Sequence, residues 1–482
     1  MPAANEQIVI AGAGVAGLSA AYRLQGSADV PFIVFERAPY LGGYSRTVQY
    51  GDFRFDLGGH RFYTKKAHVH ALVEQLVGDD LVEVHRLSRI LFNGRFVNYP
   101  LSAFNTLMGL GPLGAARAVL DYGTVKLRAA ASPRRAASPA GQEQTFEEWA
   151  LPRFGRYLYD AYFRVYTEKT WGVPCSELSA DFAEQRIKGL SFREAVREAI
   201  LRRSEGESLV RTFVYPRYGF GQIPQALARA VKEPNRILTE HAVVEVEHEG
   251  HRIRAVTAVR RDGVAVRQPC CEFINCIPVD ELVGLLRPPA PPEVLESARA
   301  LEYRSVVVLL LVVDVPQVSP DHWIYVPSPG IGFCRMHEPK NWSRDMAPPG
   351  RTGLVLEYFC QQGDAVWQRE AGDLAAEAAR DLAGMGLLQP AWVTDCTAVP
   401  LPKAYPVYRL GYRRHLDTVT RYLAGFGNLY NIGRNATFLY TSSDHYVDMG
   451  LKAAENVMGH SHNLHEIGRE KGYAEARHED ER

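Results

Sequence analysis

Apolar positions along the chain have two textures. In residues 7–60, about 205–277 and about 392–458 they form short β-rich runs broken by glycines and turn residues, whereas from about 65 to 200 they recur mostly at helical spacing. That interleaving predicts a discontinuous α/β domain with insertions. The breaks in pattern put boundaries at 1–64, 65–204, 205–278, 279–391 and 392–458, with a polar tail over 459–482. The longest strongly apolar run, residues 306–313, has eight positions, against the roughly 20 needed to span a bilayer. It predicts a buried strand. Residues 129–140, AAASPRRAASPA, read as a surface loop between two helical segments. Residues 107–120 read as a helix facing the core or a partner more readily than a membrane.

Length and charge narrow the classes of function. The 482 residues, at about 150 per domain, allow about three lobes and a cleft between them, which is the size of an enzyme. Fifty-five basic side chains cancel fifty-five acidic ones, so the electrostatic footprint that a phosphate backbone demands is missing, and nucleic acid is not expected as a partner. The N-terminus enters an apolar strand with no basic segment or small-residue cleavage site, so no secretory leader is expected. Cysteines at 175, 270, 271, 276, 334, 360 and 396 are odd in number and show no C-x-x-C spacing. They predict reduced thiols in a cytoplasmic protein, without a metal site.

The first chemistry lies at the start of the chain. Gln7-Ile8-Val9-Ile10-Ala11 reads as a strand, Gly12-Ala13-Gly14-Val15-Ala16-Gly17 is G-x-G-x-x-G, and an Ala-rich helix follows. Gly12 would make the tight turn, Gly14 admit a pyrophosphate to the backbone, and Gly17 let helix and strand pack closely. Glu36 then closes a second strand, where a carboxylate can accept ribose hydroxyls. Together these predict a dinucleotide site. The same pattern at Gly109-Leu110-Gly111-Pro112-Leu113-Gly114 follows helical sequence and predicts a helix-helix joint. No separate nicotinamide domain is therefore expected.

The text after Glu36 selects FAD. Glu36-Arg37, Gly42-Gly43 and Thr47 resemble the E-R-x-x-x-x-G-G-x-x-x-T signature of glutathione-reductase-like flavoproteins, which include the amine oxidases and protoporphyrinogen oxidases. The resemblance implies FAD contacts at Gly12, Gly14, Gly17, Glu36, Arg37, Gly43, Tyr44 and Arg46, with Val243 bracketing adenine. It also implies the fold: a Rossmann-like FAD domain split over 1–64, 205–278 and 392–458, a helical insertion over 65–204, and a mainly antiparallel substrate sheet over 279–391.

Further motifs resemble the UDP-galactopyranose mutase family over nearly the whole chain. Asp56-Leu57-Gly58-Gly59-His60-Arg61-Phe62-Tyr63-Thr64 is similar to G-P-H-x-F-H-T beside the flavin ring; Asn93-Gly94 through Asn98-Tyr99-Pro100 is similar to N-G-x-x-x-N-L-P-F; Tyr166-Thr167-Glu168-Lys169-Thr170-Trp171-Gly172 is similar to Y-T-x-K-Q-W-G. By resemblance, Asn98, Tyr166 and Trp171 contact the nucleotide, and Arg335, Tyr405 and Tyr440 the diphosphate. Gly433 and Arg434 serve flavin and phosphates. Asp448-Met449-Gly450 opens a closing helix at the flavin. A planar arginine fork with phenolic hydroxyls suits a diphosphate. Two departures stand out: Ser442 replaces an aspartate, and Arg186 aligns with a second diphosphate arginine only across an insertion. Ser442, Asp444 and His445 either define a different sugar or leaving group, or cap a helix.

The resemblance implies a redox-neutral pyranose/furanose mutase acting on a nucleoside-diphosphate sugar, with N5 of reduced FAD attacking the anomeric carbon. Catalytic roles then fall to His60, setting the flavin environment, and to Arg335 and Arg434, stabilising the departing diphosphate. An external reductant for FAD is required, and a homodimer is compatible. The alternative is FAD-dependent oxidation of a sugar or natural product. Against the amine-oxidase form of it, Tyr303-Arg304-Ser305-Val306-Val307 lacks the lysine that many of those enzymes carry there.

Overall fold

A computed structural model describes residues 6–25, 30–92, 94–99, 103–131, 143–186 and 212–469. Its first sheet is built around five parallel strands in the order Arg236–Leu238, Phe32–Phe35, Gln7–Ala11, Ala265–Asn275 and Leu429–Asn431. Parallel neighbours need crossovers, and both faces are covered accordingly. Helices Val15–Leu24 and Ser443–Val457 lie together on one side, so close that a Cβ on Gly450 would fall 2.2 Å from the Ala16 carbonyl oxygen. The first half of Ala265–Asn275 instead pairs antiparallel with Arg252–Arg260, which pairs with His241–Glu249.

The second sheet runs Val393–Pro406, Tyr303–Val313, Thr352–Cys360, Arg335–His337, Trp323–Tyr325, Ser88–Phe92 and Arg95–Asn98. Its neighbours are antiparallel except Trp323–Tyr325 against Ser88–Phe92. Tyr303–Val313 is buried at every position, as its unbroken apolar run predicts. Three strands fall outside the expected stretch. Ser88–Phe92 and Arg95–Asn98, within mostly helical sequence, complete one edge, and Val393–Pro406 joins this sheet at the other. The latter pairs along nearly the whole of Tyr303–Val313, so the chain returns to the parallel sheet only after Pro406.

Within the helical insertion one helix opens on a reciprocal cap: Glu148 N donates to Thr145 Oγ1 at 3.0 Å, and Thr145 N to Glu148 Oε2 at 2.9 Å. Its helices run over Phe146–Leu158 and Val165–Trp171, the latter ended by Gly172 at φ +72°. The helix Ala103–Ala131 breaks at Gly111, φ +70°, before Pro112, which is the joint expected from the second glycine pattern. Of the loop expected at 129–140, the first three residues extend this helix and the rest lie outside the described residues. The polar tail packs down at its start, where Leu464 and Ile467 are buried. Among the described residues no helix is long and apolar enough to cross a membrane, and no group of metal-ligating side chains forms.

Candidate active site

The glycines of the first turn are fixed by contact. Gly12 has φ +104°, and a Cβ there would press on Cys276 at 3.2 Å; at Gly17 a Cβ would lie 2.1 Å from the Gly12 carbonyl oxygen. Gly14 differs: a Cβ would meet nothing within 4 Å, because the residue faces a cleft of about 790 Å³ lined by both sheets. The Glu36 carboxylate accepts from the Ala13 and Ala38 amides, each at 2.8 Å. This fixes its direction and leaves lone pairs for ribose hydroxyls. The second glycine turn folds back on the first, with Gly42 N donating to Ala13 O at 2.8 Å. Tyr44 donates to Pro402 O, its phenol pushed up to about 12 by burial. Arg46 donates to Gly43 O at 3.0 Å.

The opposite wall comes from the second sheet. Arg335 stands directly across from Glu357 in the strand register, pairs with its carboxylate, and donates to the Tyr405 hydroxyl at 3.1 Å. Its guanidinium also lies over the rings of Phe359 at 4.7 Å and Trp323 at 5.3 Å. Burial opposes that charge, and the 1 % exposed Glu357 overcomes the cost, holding Arg335 well above its usual value. Arg434 follows Gly433, at φ +83°, and donates to Ala404 O at 3.1 Å and the Tyr446 hydroxyl at 3.3 Å. The rings of Tyr405 and Tyr440 lie 5.2 and 5.4 Å from it. Two guanidiniums and two phenols thus share one end of the cleft.

Between the walls lies the turn carrying His60. Buried Asp56 accepts from Thr47 Oγ1 at 2.5 Å, the Tyr215 hydroxyl at 2.6 Å and Phe220 N at 3.1 Å; burial nevertheless raises its pKa to about 6. The His60 ring packs on Phe220 at 5.3 Å. At Gly59 only hydrogen fits, since a Cβ would fall 1.3 Å from a Trp323 ring carbon. Trp323 stacks in turn on His337, centroids 5.4 Å apart and planes 4° from parallel. Burial, then Arg434 and Arg335, push His60 down to about 3; burial, then His60 and Arg335, do the same to His337. Both imidazoles are uncharged at neutral pH.

The structure divides the expected site residues. Lining the cleft are Gly12, Gly14, Glu36, Arg37, Gly43, Tyr44, Arg46, Gly59, His60, Val243, Arg335, Tyr405, Gly433, Arg434, Tyr440 and Ser442. Gly17 lies under the first turn. Tyr166 and Trp171 sit one layer back, the former edge-on to Tyr325 at 5.7 Å and the latter edge-on to Tyr405 and Tyr440 at 6.3 and 6.0 Å. Asn98 is exposed at the end of an edge strand, off the cleft. Arg186 ends the helix Asp181–Arg186, and its side chain lies outside the described residues.

The closing helix opens at Ser443, not at Asp448, because Ser442, Ser443 and Asp444 supply an N-terminal signature one turn earlier. Asp448 is buried away from the cleft, pairing with Lys66 at 3.0 Å and His68 at 2.8 Å, and Met449 packs in the core. Ser442 takes the cap position but makes no capping bond; its hydroxyl donates to Asp444 at 2.5 Å and meets His445 Nδ1 at 2.9 Å. Glu357, Trp323 and His337 were not among the expected residues. Glu357 alone had a signal, as a lone carboxylate inside the apolar strand Thr352–Cys360.

A parallel sheet with a glycine cradle, joined to an antiparallel wall across one cleft, defines an FAD-binding enzyme class, and Gly14, Glu36 and the second glycine turn fit that cofactor. The chain belongs to the flavin-containing amine oxidoreductase family, whose model matches residues 15–458, and FAD is its cofactor. It is 30% identical over 184 residues to a Klebsiella pneumoniae protein named "Probable UDP-galactopyranose mutase", covering 38% of this chain and 45% of that one. It is 28% identical over 149 residues to the coproporphyrinogen III oxidase of Mycobacterium tuberculosis, covering 30% and 33%. Both matches span less than half of the relative's length. A crystal structure of reduced UDP-galactopyranose mutase has the same fold, with a TM-score of 0.81 over 96% of this chain and 97% of that one at 22% identity.

Proposed function

We propose that the protein is a flavoenzyme acting on a nucleoside-diphosphate sugar, by redox-neutral pyranose/furanose mutase chemistry. The observation that carries this reading is the convergence of Arg335, Arg434, Tyr405 and Tyr440 at the end of the cleft beyond the glycine cradle. Two guanidiniums and two phenolic donors match the geometry and charge of a diphosphate leaving group. Bound, reduced FAD supplies a nucleophilic N5 toward the anomeric carbon. The chain's own contribution is positional: Arg335, locked by Glu357, and Arg434, locked by Ala404 and Tyr446, take the charge that develops on the departing phosphate. Neutral His60 adds no competing cation beside the flavin end. A reductant from outside the protein is needed to keep the cofactor active.

The oxidase reading has support of its own in the coproporphyrinogen oxidase relative. Arg304, where many amine oxidases carry lysine, is buried and spent on backbone carbonyls, which argues against an amine-oxidase site. One experiment separates the readings. Dithionite-reduced protein is incubated anaerobically with UDP-, dTDP- and GDP-sugars while pyranose-to-furanose conversion is followed, then oxidised protein is tested under air. Conversion by the reduced form is expected. Turnover confined to the oxidised form, with peroxide and an oxidised product, would overturn the mutase reading.

A further inference from the structure

Behind the Arg335–Glu357 pair lie half-buried Lys169 and buried Arg304, which form no ion pair among the described residues. Lys169 Nζ donates to three carbonyls of the loop leading into the Arg335 strand: Phe333 O at 2.6 Å, Ser328 O at 3.2 Å and Val326 O at 3.3 Å. Arg304, 9 % exposed, donates to Thr170 O at 3.1 Å and Lys169 O at 3.3 Å, at the end of the helix Val165–Trp171, and to Phe359 O at 3.0 Å on the Glu357 strand. Gly172 is the residue that permits this: a Cβ there would lie 2.5 Å from Arg304 Nη1. Burial lowers the pKa of both cations. A polar cage that cost nothing electrostatically would use a neutral donor.

We infer that Lys169 and Arg304 are positioning residues for an anionic ligand, welding the helix Val165–Trp171 to the two strands that carry Arg335 and Glu357. The weld fixes Arg335 in register, two residues beyond the caged Phe333. It also leaves the region positive on balance: Lys169, Arg304, Arg335 and Arg434 stand against the buried carboxylate of Glu357, with Asp381 acting on Lys169 and Asp364 on Arg304. Carbonyl dipoles solvate the two rear charges without cancelling them, so part of their field reaches the cleft. This inference rests on the reading of the cleft as a diphosphate site and extends it to residues that do not touch the ligand.

The test uses FAD-loaded protein with Lys169→Met, which keeps the length of the side chain, and Lys169→Arg, which keeps the charge. UDP is titrated at low and high salt, and amide hydrogen exchange is followed over residues 326–335. In the Met variant UDP affinity is expected to fall about tenfold at low salt and less at high salt, with FAD content and absorbance unchanged and exchange over 326–335 accelerated. The Arg variant is expected to restore most of the affinity. UDP affinity of the Met variant within twofold of the parent, or unchanged exchange over 326–335, overturns the inference. Parent protein that binds no UDP at all counts against the diphosphate reading, and the exchange data then still decide whether the weld exists.

Discussion

The two walls of the cleft are built on opposite principles. The cradle wall is backbone: Gly17 and Gly43 bring main chain against main chain, and the Glu36 carboxylate is oriented by two amides. The facing wall is side chain: Arg335, Glu357, Trp323, His337, Lys169 and Tyr405 hold one another across five separate segments. A backbone cradle suits a cofactor that never changes. A side-chain wall can be retuned residue by residue, which is the physical reason one family can join a mutase and an oxidase on the same frame.

That contrast yields graded tests. Gly17→Ala has no room against the Gly12 carbonyl, and the purified variant is expected to lose bound FAD, read from its absorbance spectrum. Glu357→Ala should instead keep the cradle and strand a buried guanidinium, at a cost of about 3–5 kcal/mol of stability, measured by denaturant unfolding; a loss below about 1 kcal/mol would show that Arg335 does not depend on this partner. Arg335→Ala is expected to weaken UDP binding by about 2 kcal/mol with the flavin spectrum intact, and unchanged affinity would mean that the arginine does not face a phosphate.

A pH scan addresses the junction of the two walls. Unfolded imidazoles titrate near 6.5, whereas half-buried His60 and buried His337 hold off protons until about 3. Stability contributed by these groups is therefore present above about 6.5 and lost as pH falls through that window. Asp56 acts in the opposite sense, because its folded pKa of about 6 lies above its usual 3.8, so acid favours the fold between those values. Within this junction two imidazoles outnumber one carboxylate, so its own contribution to stability falls in acid. Thermal melting should fall from pH 7 to 5, and His337→Phe should flatten that dependence; an equal slope in the variant would exclude His337 as its source. The smallest effect is expected from Asn98→Ala, within about 0.5 kcal/mol in UDP affinity, because Asn98 lies off the cleft. A larger loss would restore the nucleotide role its motif implies.

Legibility in the sequence follows the same division. Local spacing encodes the cradle, since a glycine that must accept positive φ or a 2.1 Å approach leaves a mark at its own position. The parallel sheet and a dinucleotide site could therefore be read directly, and FAD itself through resemblance. Arg335, Tyr405 and Arg434 were reached through resemblance, but Glu357 as the partner of Arg335 depends on strand register, and Trp323 on a contact with Gly59 far upstream. Neither relation has a local pattern. The edge strands Ser88–Phe92 and Arg95–Asn98 escaped for a similar reason: they are short, embedded in helical text, and stabilised by a sheet formed elsewhere. The closing helix starts at Ser443 rather than Asp448, which agrees with the helix-capping alternative for Ser442 and Asp444 in position, although Ser442 makes no capping bond.

The hydrogen at Gly59 sets a limit on modularity. Since the Trp323 ring occupies the place of its side chain, the cofactor half and the ligand half are keyed to each other at one atom's width. A chimera that exchanged the second sheet for that of a relative would have to carry this glycine and tryptophan as a matched set.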